Sequence, residues 1–298
     1  MIATEVGLIG VGLAGLALAE NLIACGYTII GYDISEDRRT LLSDAGGVVA
    51  GTAAAVAAQC DRVVLSLPDS DVVHEAIEGK GGVLAAASLP RYIIDTTTGD
   101  PDKTEALARR LSSKSIELLD ATISGSSQQI RDRRAVLMVG ASSDAYAACR
   151  DVLDALAERH FHVGPVGSGS KAKLASNLIL GLNRFVLAEG LVFAEGLGID
   201  LATFLPILKV SPAYSCAMDV KGEKMIRGDF AAQSRVRQHD KDLSLILSQA
   251  ERMQQELPLT RVHKRVLEEA IRAGDGDLDN SVVIRHLRSR RGGAAGSP

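Results

Sequence analysis

The stretch from Val6 to Asp33 constrains the fold of this chain more than any other part of it. It reads VGLIGVGLAGLALAENLIACGYTIIGYD and opens on a short apolar run, which is followed by three glycines in G-x-G-x-x-G spacing. A helical pattern then runs from about Leu13 to Cys25, and a second apolar run, Tyr27–Tyr32, ends in an acidic residue. This order of strand, glycine turn, helix, strand and acid predicts a βαβ unit of the kind that binds a dinucleotide.

Each glycine of the turn has a separate physical role in that prediction. Gly10 allows the tight turn, Gly12 lets the backbone approach a pyrophosphate, and Gly15 lets the helix pack close to the strand. The free N–H groups and the partial positive charge at the helix N-terminus favour a bound phosphate. We therefore expect the whole turn to contact the cofactor: Gly10, Val11, Gly12, Leu13, Ala14 and Gly15.

The acid at the end of the second strand predicts which dinucleotide binds. Asp33 is placed to bond both hydroxyls of an adenosine ribose and to repel a 2′-phosphate. The next residues, Ile34 and Ser35, supply no arginine, and Arg38 and Arg39 lie further on, in the following helix. We therefore expect NAD rather than NADP. The alternative is a glycine-rich turn that binds nothing, but the complete order of elements favours binding.

The size and charge of the chain limit its class. Its 298 residues suit two domains better than one, and with 46% hydrophobic and 23% charged residues it can bury a large core. A net charge of −4 and an aromatic content of 3% argue against nucleic acid or an anionic membrane as a partner.

The four cysteines point to a reducing compartment. They are far apart, with no C-x-x-C pair and no histidine at metal-ligand spacing, so we expect free thiols and no metal site. The N-terminus lacks the basic region of a signal peptide, because its apolar run leads directly into the glycine turn. A cytoplasmic protein is therefore expected.

Beyond Asp33, short apolar runs alternate with helical patterns, which predicts a largely parallel sheet with helices on both faces. The expected fold class is thus α/β, with a doubly wound Rossmann-type domain over residues 1–163. A single helix is expected over Ser143–Glu158. The strands are expected at Arg62–Leu67, Tyr92–Asp95, Ile116–Ala121, Ala135–Gly140 and His160–Val163.

The pattern changes at Gly164, where the sequence GPVGSGS is typical of a loop between domains. One long helix is expected from Lys171 to Leu197, and charged residues interrupt it too often for a membrane span. The later segments are helical in pattern, so residues 164–288 are expected to form an all-α domain. Residues 289–298 are polar and glycine-rich, and we expect a disordered tail there.

Several loops are expected at the edge of the sheet where the strands end, which is where such folds bind ligands. After the strand that ends at Ala121, Ser124 brings a hydroxyl and Gly125 exposes backbone N–H groups. Together these groups could hold a carboxylate. An ordinary turn is the alternative, and these residues alone would favour it.

A second group of candidate residues lies at the start of the long helix. Lys173 and Asn177 are four residues apart and share one helix face, whereas Lys171 points elsewhere. A lysine desolvated in a cleft at the domain junction can have its pKa lowered towards neutrality and act as a general acid or base. Asn177 could bond the reacting oxygen or the substrate. The alternative is a solvated lysine, a role that suits Lys171.

Six motifs occur together in an order that resembles one enzyme family. They are the Gly10–Gly15 turn, Leu67-Pro68, Asp95-Thr-Thr-Thr98-x-x-Pro101, Asp120–Ser126, Gly167-x-Gly169-x-x-x-Lys173-x-x-x-Asn177 and Lys241-Asp242-Leu243. From Val6 to about Leu287 the chain resembles the β-hydroxyacid dehydrogenases. That family includes 3-hydroxyisobutyrate dehydrogenase and 2-hydroxy-3-oxopropionate reductase, and it is related to 6-phosphogluconate dehydrogenase.

The resemblance implies an activity and roles for individual residues. Lys173 corresponds to the catalytic lysine, and Asn177 to the asparagine that orients the lysine and the substrate. Ser124 and Gly125 correspond to the substrate-binding Ser-Gly pair, with Ser126 beside them. The implied reaction is hydride transfer between NAD and a small anionic 3-hydroxy acid or the matching aldehyde acid, with Lys173 as general acid and base.

The resemblance also implies cofactor contacts and an assembly. Leu67, Pro68 and Thr98 correspond to residues that line the cofactor, and Lys241 to a lysine beside the bound nicotinamide. The family forms dimers or tetramers around the long helix, so a homodimer or homotetramer is expected.

The chain departs from the family pattern in places that concern the substrate. Where relatives commonly have Pro-Val-Ser-Gly-Gly, this chain has Thr122-Ile-Ser-Gly-Ser126, and Ser234 stands where an aromatic residue is common. Arg235 and Arg237 follow, and one of them could enter the pocket and bind a second anionic group.

On that hypothesis the substrate is larger or more anionic than 3-hydroxyisobutyrate. The alternative is that Arg235, Arg237 and His239 are solvated, or paired with Asp240 and Asp242.

Two other functions stay open at this point. Imine reductases use the same scaffold but usually lack the catalytic lysine, so Lys173 argues against that class. A non-enzymatic module that binds the dinucleotide is the second alternative, since a fold alone does not fix a function.

Overall fold

The computed structural model describes residues 4–291. The chain forms two compact units, Met1–Lys173 and Leu174–Pro298. The first turn of the long helix belongs to the first unit. The ammonium of Lys171, for example, pairs with Glu105 at 2.7 Å.

The first unit is built on one eight-stranded sheet in the order β3-β2-β1-β4-β5-β6-β7-β8. Neighbouring strands are parallel, except that β6 and β7 are antiparallel. The chain builds outwards from β1 in both directions, so the loops after β1 and β4 meet at a switch point where α/β sheets bind ligands. The expected doubly wound α/β fold is confirmed. The strands are β1 (Glu5–Ile9), β2 (Thr28–Tyr32), β3 (Val48–Val49), β4 (Arg62–Leu65), β5 (Tyr92–Asp95), β6 (Glu117–Ser124), β7 (Val136–Gly140) and β8 (Arg159–Gly164).

Helices cover both faces of this sheet. Successive residues of β4 show this, because Val63 and Leu65 lie in one buried apolar cluster and Val64 lies in another. Strands buried on both faces have no polar side, which explains their continuous apolar runs. The helices of this unit are α1 (Leu13–Ala24), α2 (Glu36–Asp44), α3 (Ala53–Ala57), α4 (Ser70–Glu78), α5 (Pro101–Ser112), α6 (Ser127–Arg131), α7 (Ser143–Ala148) and α8 (Arg150–Leu156).

The described part of the second unit is helical apart from turns, loops, 3₁₀ segments and an isolated β-bridge between Arg235 and Asp279. Its core is one apolar cluster that includes Leu191, Met225 and Leu243. The 29-residue helix α9 begins in the first unit and continues in the second. The helices are α9 (Ser168–Gly196), α10 (Leu201–Val210), α11 (Cys216–Arg227), α12 (Val236–Arg252), α13 (Pro258–Arg272) and α14 (Val283–Ser289), with 3₁₀ segments at Asp275–Asp277 and Asn280–Val282.

Two expectations about individual elements are wrong. The single helix expected over Ser143–Glu158 is two helices, because the backbone leaves helical geometry at Cys149, where φ is −104° and ψ is 4°. Strand β6 runs on to Ser124 instead of ending at Ala121, because its last residues pair with β7.

The expected disordered tail is also partly wrong. Ser289 is the last residue of α14, and Arg290 and Arg291 make ion pairs with Glu269 and Glu195. These two ion pairs hold the start of the segment against the second unit. The remainder of the expected tail, residues 292–298, lies outside the described residues.

Helix α9 has one further property that follows from its composition. Within residues 4–291 it is the one helix long and apolar enough to cross a membrane, so its charged residues are less frequent than the expectation from the sequence assumed; half of its apolar window is buried inside the protein. The central helix of a soluble domain meets the same criterion.

Candidate active site

The glycine turn after β1 has the geometry that its sequence predicts. Gly10 has a φ of +93°, and a Cβ there would collide with the carbonyl of Ser66. A Cβ on Gly15 would collide with the carbonyl of Gly10, so the start of α1 lies directly on the turn. Gly12 is different, because a Cβ there would meet no atom within 4 Å. The first and third glycines are therefore required by the fold, while the second faces open space.

Asp33 follows β2 and lies against the same turn. Its Oδ2 accepts a hydrogen bond from the Val11 N–H at 2.7 Å, and its Oδ1 accepts one from the Ser35 N–H at 2.9 Å. Arg39 lies in α2, as expected, but its guanidinium turns back and donates to the carbonyls of Asp33 at 2.7 Å and Ile34 at 3.2 Å. From the sequence we expected no arginine next to Asp33. That expectation is wrong, because Arg39 contacts the main chain of Asp33.

The loops after β4 and β5 are tied together at this edge of the sheet. The Leu67 N–H donates to Oγ1 of Thr97 at 3.1 Å, and Oγ1 of Thr96 donates to the carbonyl of Leu65 at 2.6 Å. Pro68 is exposed and Thr98 is half-buried. These bonds hold the two expected cofactor-lining segments next to each other.

The residues at this edge fit a bound dinucleotide. No side chain caps the N-terminus of α1, and its first turn carries no acidic residue. A phosphate could therefore approach the N–H groups beside Gly12, where the space is open. The carboxylate of Asp33 lies at the end of the neighbouring strand, where a ribose is held in such folds.

The end of β6 carries the expected substrate-binding residues. Ser124 is half-buried, and Gly125 and Ser126 are exposed. Ser126 begins α6 in a capping box: its Oγ accepts the Gln129 N–H at 3.3 Å, and Oε1 of Gln129 accepts the Ser126 N–H at 2.8 Å. The hydroxyl of Ser126 therefore has a structural partner, which leaves Ser124 as the better candidate.

The two lysines at the start of α9 have different surroundings. Lys173 is buried, with 7% of its surface exposed. The side chain of Lys171 is 57% exposed, and its ammonium pairs with Glu105. The two lysines therefore lie on different faces of the helix, as their spacing predicts.

Asn177 follows one turn after Lys173 and belongs to the second unit. It is buried, and its Nδ2 donates to Oδ2 of Asp242 at 3.0 Å. The ammonium of Lys241 lies 3.7 Å from Oδ1 of the same carboxylate. Asp242 is thus a candidate functional residue that we did not single out from the sequence, although it lies within the Lys241-Asp242-Leu243 motif.

The segment around the start of α12 only partly matches expectation. Arg237 is exposed and lies 3.7 Å from Asp277, as a surface residue would, and Arg235 is also exposed. His239, for which one alternative was a solvated side chain, is buried beside the guanidinium of Arg184 at 3.3 Å. The solvated alternative is wrong for this residue because α12 begins at Val236, which turns the histidine inwards.

Asp240, offered as a partner for that segment, instead pairs with Lys264 at 2.5 Å.

Two buried acids lie in neighbouring strands below the ligand edge. Burial raises the pKa of Asp95 to about 6, although the Thr97 N–H donates to it at 2.9 Å. Burial also raises the pKa of Asp120 to about 7, against hydrogen bonds from the N–H groups of Ser170 and Gly167. Among the described residues, no group of three or more His, Cys, Asp or Glu is placed to hold a metal ion.

Comparison with known proteins identifies the family. Residues 5–164 match the model of the NAD binding domain of 6-phosphogluconate dehydrogenase, and residues 167–287 match that of the NAD-binding domain of NADP-dependent 3-hydroxyisobutyrate dehydrogenase. The chain belongs to the β-hydroxyacid dehydrogenase family. It is therefore an oxidoreductase that acts on a CH–OH group and uses a nicotinamide dinucleotide.

Full-length relatives and solved structures agree with this assignment. The chain is 32% identical over 282 residues to 2-(hydroxymethyl)glutarate dehydrogenase of Eubacterium barkeri, covering 94% of each chain. It is 28% identical to L-threonate dehydrogenase of Cupriavidus necator, covering 94% of this chain and 95% of that one. It shares the fold of Mycobacterium tuberculosis 3-hydroxyisobutyrate dehydrogenase with a TM-score of 0.87 at 24% identity, over 97% and 100% of the two chains. Imine reductases also share the fold, at lower TM-scores.

Proposed function

We propose that this chain transfers a hydride between NAD and a small anionic 3-hydroxy acid or its aldehyde acid, with Lys173 as the general acid and base. The observation that carries the proposal is the burial of Lys173 beside an exposed lysine of the same helix turn. Burial places the Lys173 ammonium away from bulk water, where a proton-transfer group can act, and the exposed Lys171 is left as a surface residue.

The proposed mechanism assigns one task to each residue. The bound nicotinamide would supply the hydride acceptor in oxidation and the hydride donor in reduction. Lys173 takes the proton of the substrate hydroxyl as the alcohol is oxidised, and returns it to the oxygen in the reverse direction. Asn177, whose amide is fixed by Asp242, orients the reacting oxygen. Ser124 and the N–H of Gly125 hold the substrate carboxylate.

The proposed substrate is larger or more anionic than 3-hydroxyisobutyrate. The names of two relatives support this, because a glutarate carries a second carboxylate and a threonate is a polyhydroxy acid. The serine at position 234 and the exposed guanidinium of Arg235 also support it, since a small side chain leaves room and a guanidinium can pair with a second anionic group.

The proposed cofactor is NAD rather than NADP. The carboxylate of Asp33 favours ribose hydroxyls and repels a 2′-phosphate. Arg39 weakens this argument without reversing it, because its bonds are to main-chain carbonyls.

The function is tested by a panel of three acids with both cofactors. The purified protein is given 2-(hydroxymethyl)glutarate, L-threonate or 3-hydroxyisobutyrate with NAD or NADP, and reduced nicotinamide is followed by absorbance. The proposal expects turnover of at least one acid with NAD. Turnover of a cyclic imine but no acid would support an imine reductase instead. Dinucleotide binding without any turnover would support a non-enzymatic module.

We also propose a homodimer or homotetramer located in the cytoplasm. Large apolar side chains on α9 of the second unit support the assembly, since Ile179, Val186 and Phe193 are about 60% exposed or more in the single chain. Sedimentation analysis of the purified protein tests it, and a monomer at micromolar concentration would contradict it.

A further inference from the structure

Strand β6 presents three polar side chains on one face of the sheet. Asp120, Thr122 and Ser124 occupy alternate positions, and side chains two residues apart in a strand point to the same side. Asp120 and Thr122 are buried, with 1% and 0% of their surfaces exposed, while Ser124 is half-buried at the strand end. The substrate-binding candidate thus shares a face with two buried polar residues.

Asp120 caps the first turn of α9 from a distant part of the chain. Its Oδ2 accepts the Ser170 N–H at 2.7 Å, and its Oδ1 accepts the Gly167 N–H at 3.1 Å. Gly167 precedes the helix and has no side chain to bond the free N–H groups of its first turn. The Asp120 carboxylate on β6 therefore caps the N-terminus of α9 in place of a local side chain.

Thr122 also forms a hydrogen bond with the first turn of α9. Its Oγ1 lies 3.0 Å from the carbonyl of Gly169 and 3.4 Å from that of Met138, so its single hydroxyl proton is donated mainly to Gly169. The backbones are in direct contact, because a Cβ on Gly169 would collide with the carbonyls of Asp120 and Met138. The helix start therefore has no room to shift along the strand.

Lys173 lies one turn beyond these attachments. It is four residues after Gly169 and three after Ser170, so it follows them on the same helix face. We propose that Asp120 and Thr122 are positioning residues that set the distance between Lys173 and Ser124, so that one strand fixes both the proton-transfer group and the carboxylate-binding hydroxyl. This inference rests on the proposed function of Lys173.

Where the family commonly has proline, Thr122 supplies a hydroxyl that proline lacks. Removing the Thr122 hydroxyl therefore tests a hydrogen bond that a proline at this position could not make.

The test compares variants at the two positions. Thr122→Val keeps the side-chain shape and removes the hydroxyl, Thr122→Ser restores the hydroxyl, and Asp120→Asn leaves one acceptor in place of two. Lys171→Ala, an exposed change on the same helix turn, is the matched control. Each is assayed for kcat and KM with the acid of the three-member panel that gives the highest kcat/KM. The Kd of NADH is measured separately by fluorescence.

We expect Thr122→Val and Asp120→Asn to lower kcat by about tenfold to a hundredfold, because a small misplacement of a reacting group has effects of this size. KM and the NADH Kd should stay within about twofold, and Thr122→Ser should recover most of the activity. In a Lys173→Ala background Thr122→Val should have no further effect, since the residue acts through the lysine.

Hydrogen–deuterium exchange of the apo protein gives a readout independent of activity. Amides of residues 168–174 should exchange faster in Thr122→Val and Asp120→Asn, and amides of α13 should not change. Unchanged kcat, or the same fold-loss in the Lys173→Ala background, would overturn the inference. A Lys173→Ala protein with normal kcat would instead overturn the proposed function, so the two failures are distinguishable.

Discussion

Asn177 donates a hydrogen bond from Nδ2 to Oδ2 of Asp242, 65 residues further along the chain, at 3.0 Å. Both side chains are buried, with about 6% of their surfaces exposed. The bond fixes which way the Asn177 amide points, because the carboxylate accepts only from the nitrogen. The amide oxygen is thereby directed away from Asp242.

We expect Asn177→Ala to lower both stability and kcat. It removes the donor to a buried carboxylate, which costs about 1–3 kcal/mol, and it removes the group that orients the reacting oxygen in the proposed mechanism. Chemical denaturation and steady-state kinetics measure the two effects. In the double variant with Asp242→Ala the stability losses should be less than additive, because neither partner is left unsatisfied; strict additivity would show that the bond has no energetic role.

Lys173→Ala should cut kcat by roughly a hundredfold to ten-thousandfold with little change in the Kd of NADH. The reason is that in the proposed mechanism the ammonium moves the proton and does not hold the dinucleotide. Lys171 is two residues earlier in the chain, exposed and paired with Glu105. Lys171→Ala should therefore keep nearly full activity. Equal loss in the two variants would contradict the assignment.

Cofactor preference should depend on Asp33 and Arg39 in opposite directions. We expect NAD to be preferred over NADP by at least roughly tenfold in kcat/KM, or about 1.4 kcal/mol. Asp33→Ala should narrow that ratio, because it removes the charge that repels the 2′-phosphate. Arg39→Ala should widen it, because it removes a nearby positive charge. A ratio near one for the unmodified protein would refute the preference.

The two arginines before Lys241 should differ in their effect on substrate binding. Arg235→Ala should raise KM for 2-(hydroxymethyl)glutarate by about tenfold, the effect of losing a charge-assisted contact, and should barely change KM for 3-hydroxyisobutyrate. Arg237→Ala is the matched control, because its guanidinium already lies beside Asp277. If neither variant changed KM for either acid, both arginines would be surface residues without a role in substrate binding.

The buried carboxyl of Asp95 should make stability depend on pH. Its pKa is raised to about 6 by burial, so between pH 4 and 6 the folded state keeps a proton that the unfolded state has lost. The free energy of unfolding should therefore fall as the pH rises through this window, by up to about 3 kcal/mol from this group. Asp95→Asn should remove that part of the slope, which urea denaturation at pH 4, 6 and 8 can measure. An unchanged slope would show that the pKa of this carboxyl is not raised in the folded protein.

The sequence predicted best where the signal is local. The glycine turn, its flanking strands and α1 were expected within about one residue of their observed bounds, because chain order and glycine spacing carry the information. Three short elements, α3, β3 and α6, were not expected, since they are too short to show a period and no motif marks them.

The candidate site could be predicted only in part, because only its local spacings leave a pattern in the sequence. The spacing of Lys173 and Asn177 is local, but the bond from Asn177 to Asp242 joins residues far apart in sequence and leaves no pattern. The burial of His239 was missed because its segment was interpreted from its charged residues and not from a helix start. A start at Val236 places His239 and Asp242 on the buried face that also carries Leu243.

The alternation along β6 separates residues that support the fold from residues at the end of the strand. Ala121 and Ile123 face the hydrophobic core, while Asp120 and Thr122 bond the start of α9. Beyond them Ser124–Ser126 is exposed or half-exposed. A descendant of this chain could therefore adapt to a new acid by point mutations at the end of one strand, without rebuilding the support of its lysine.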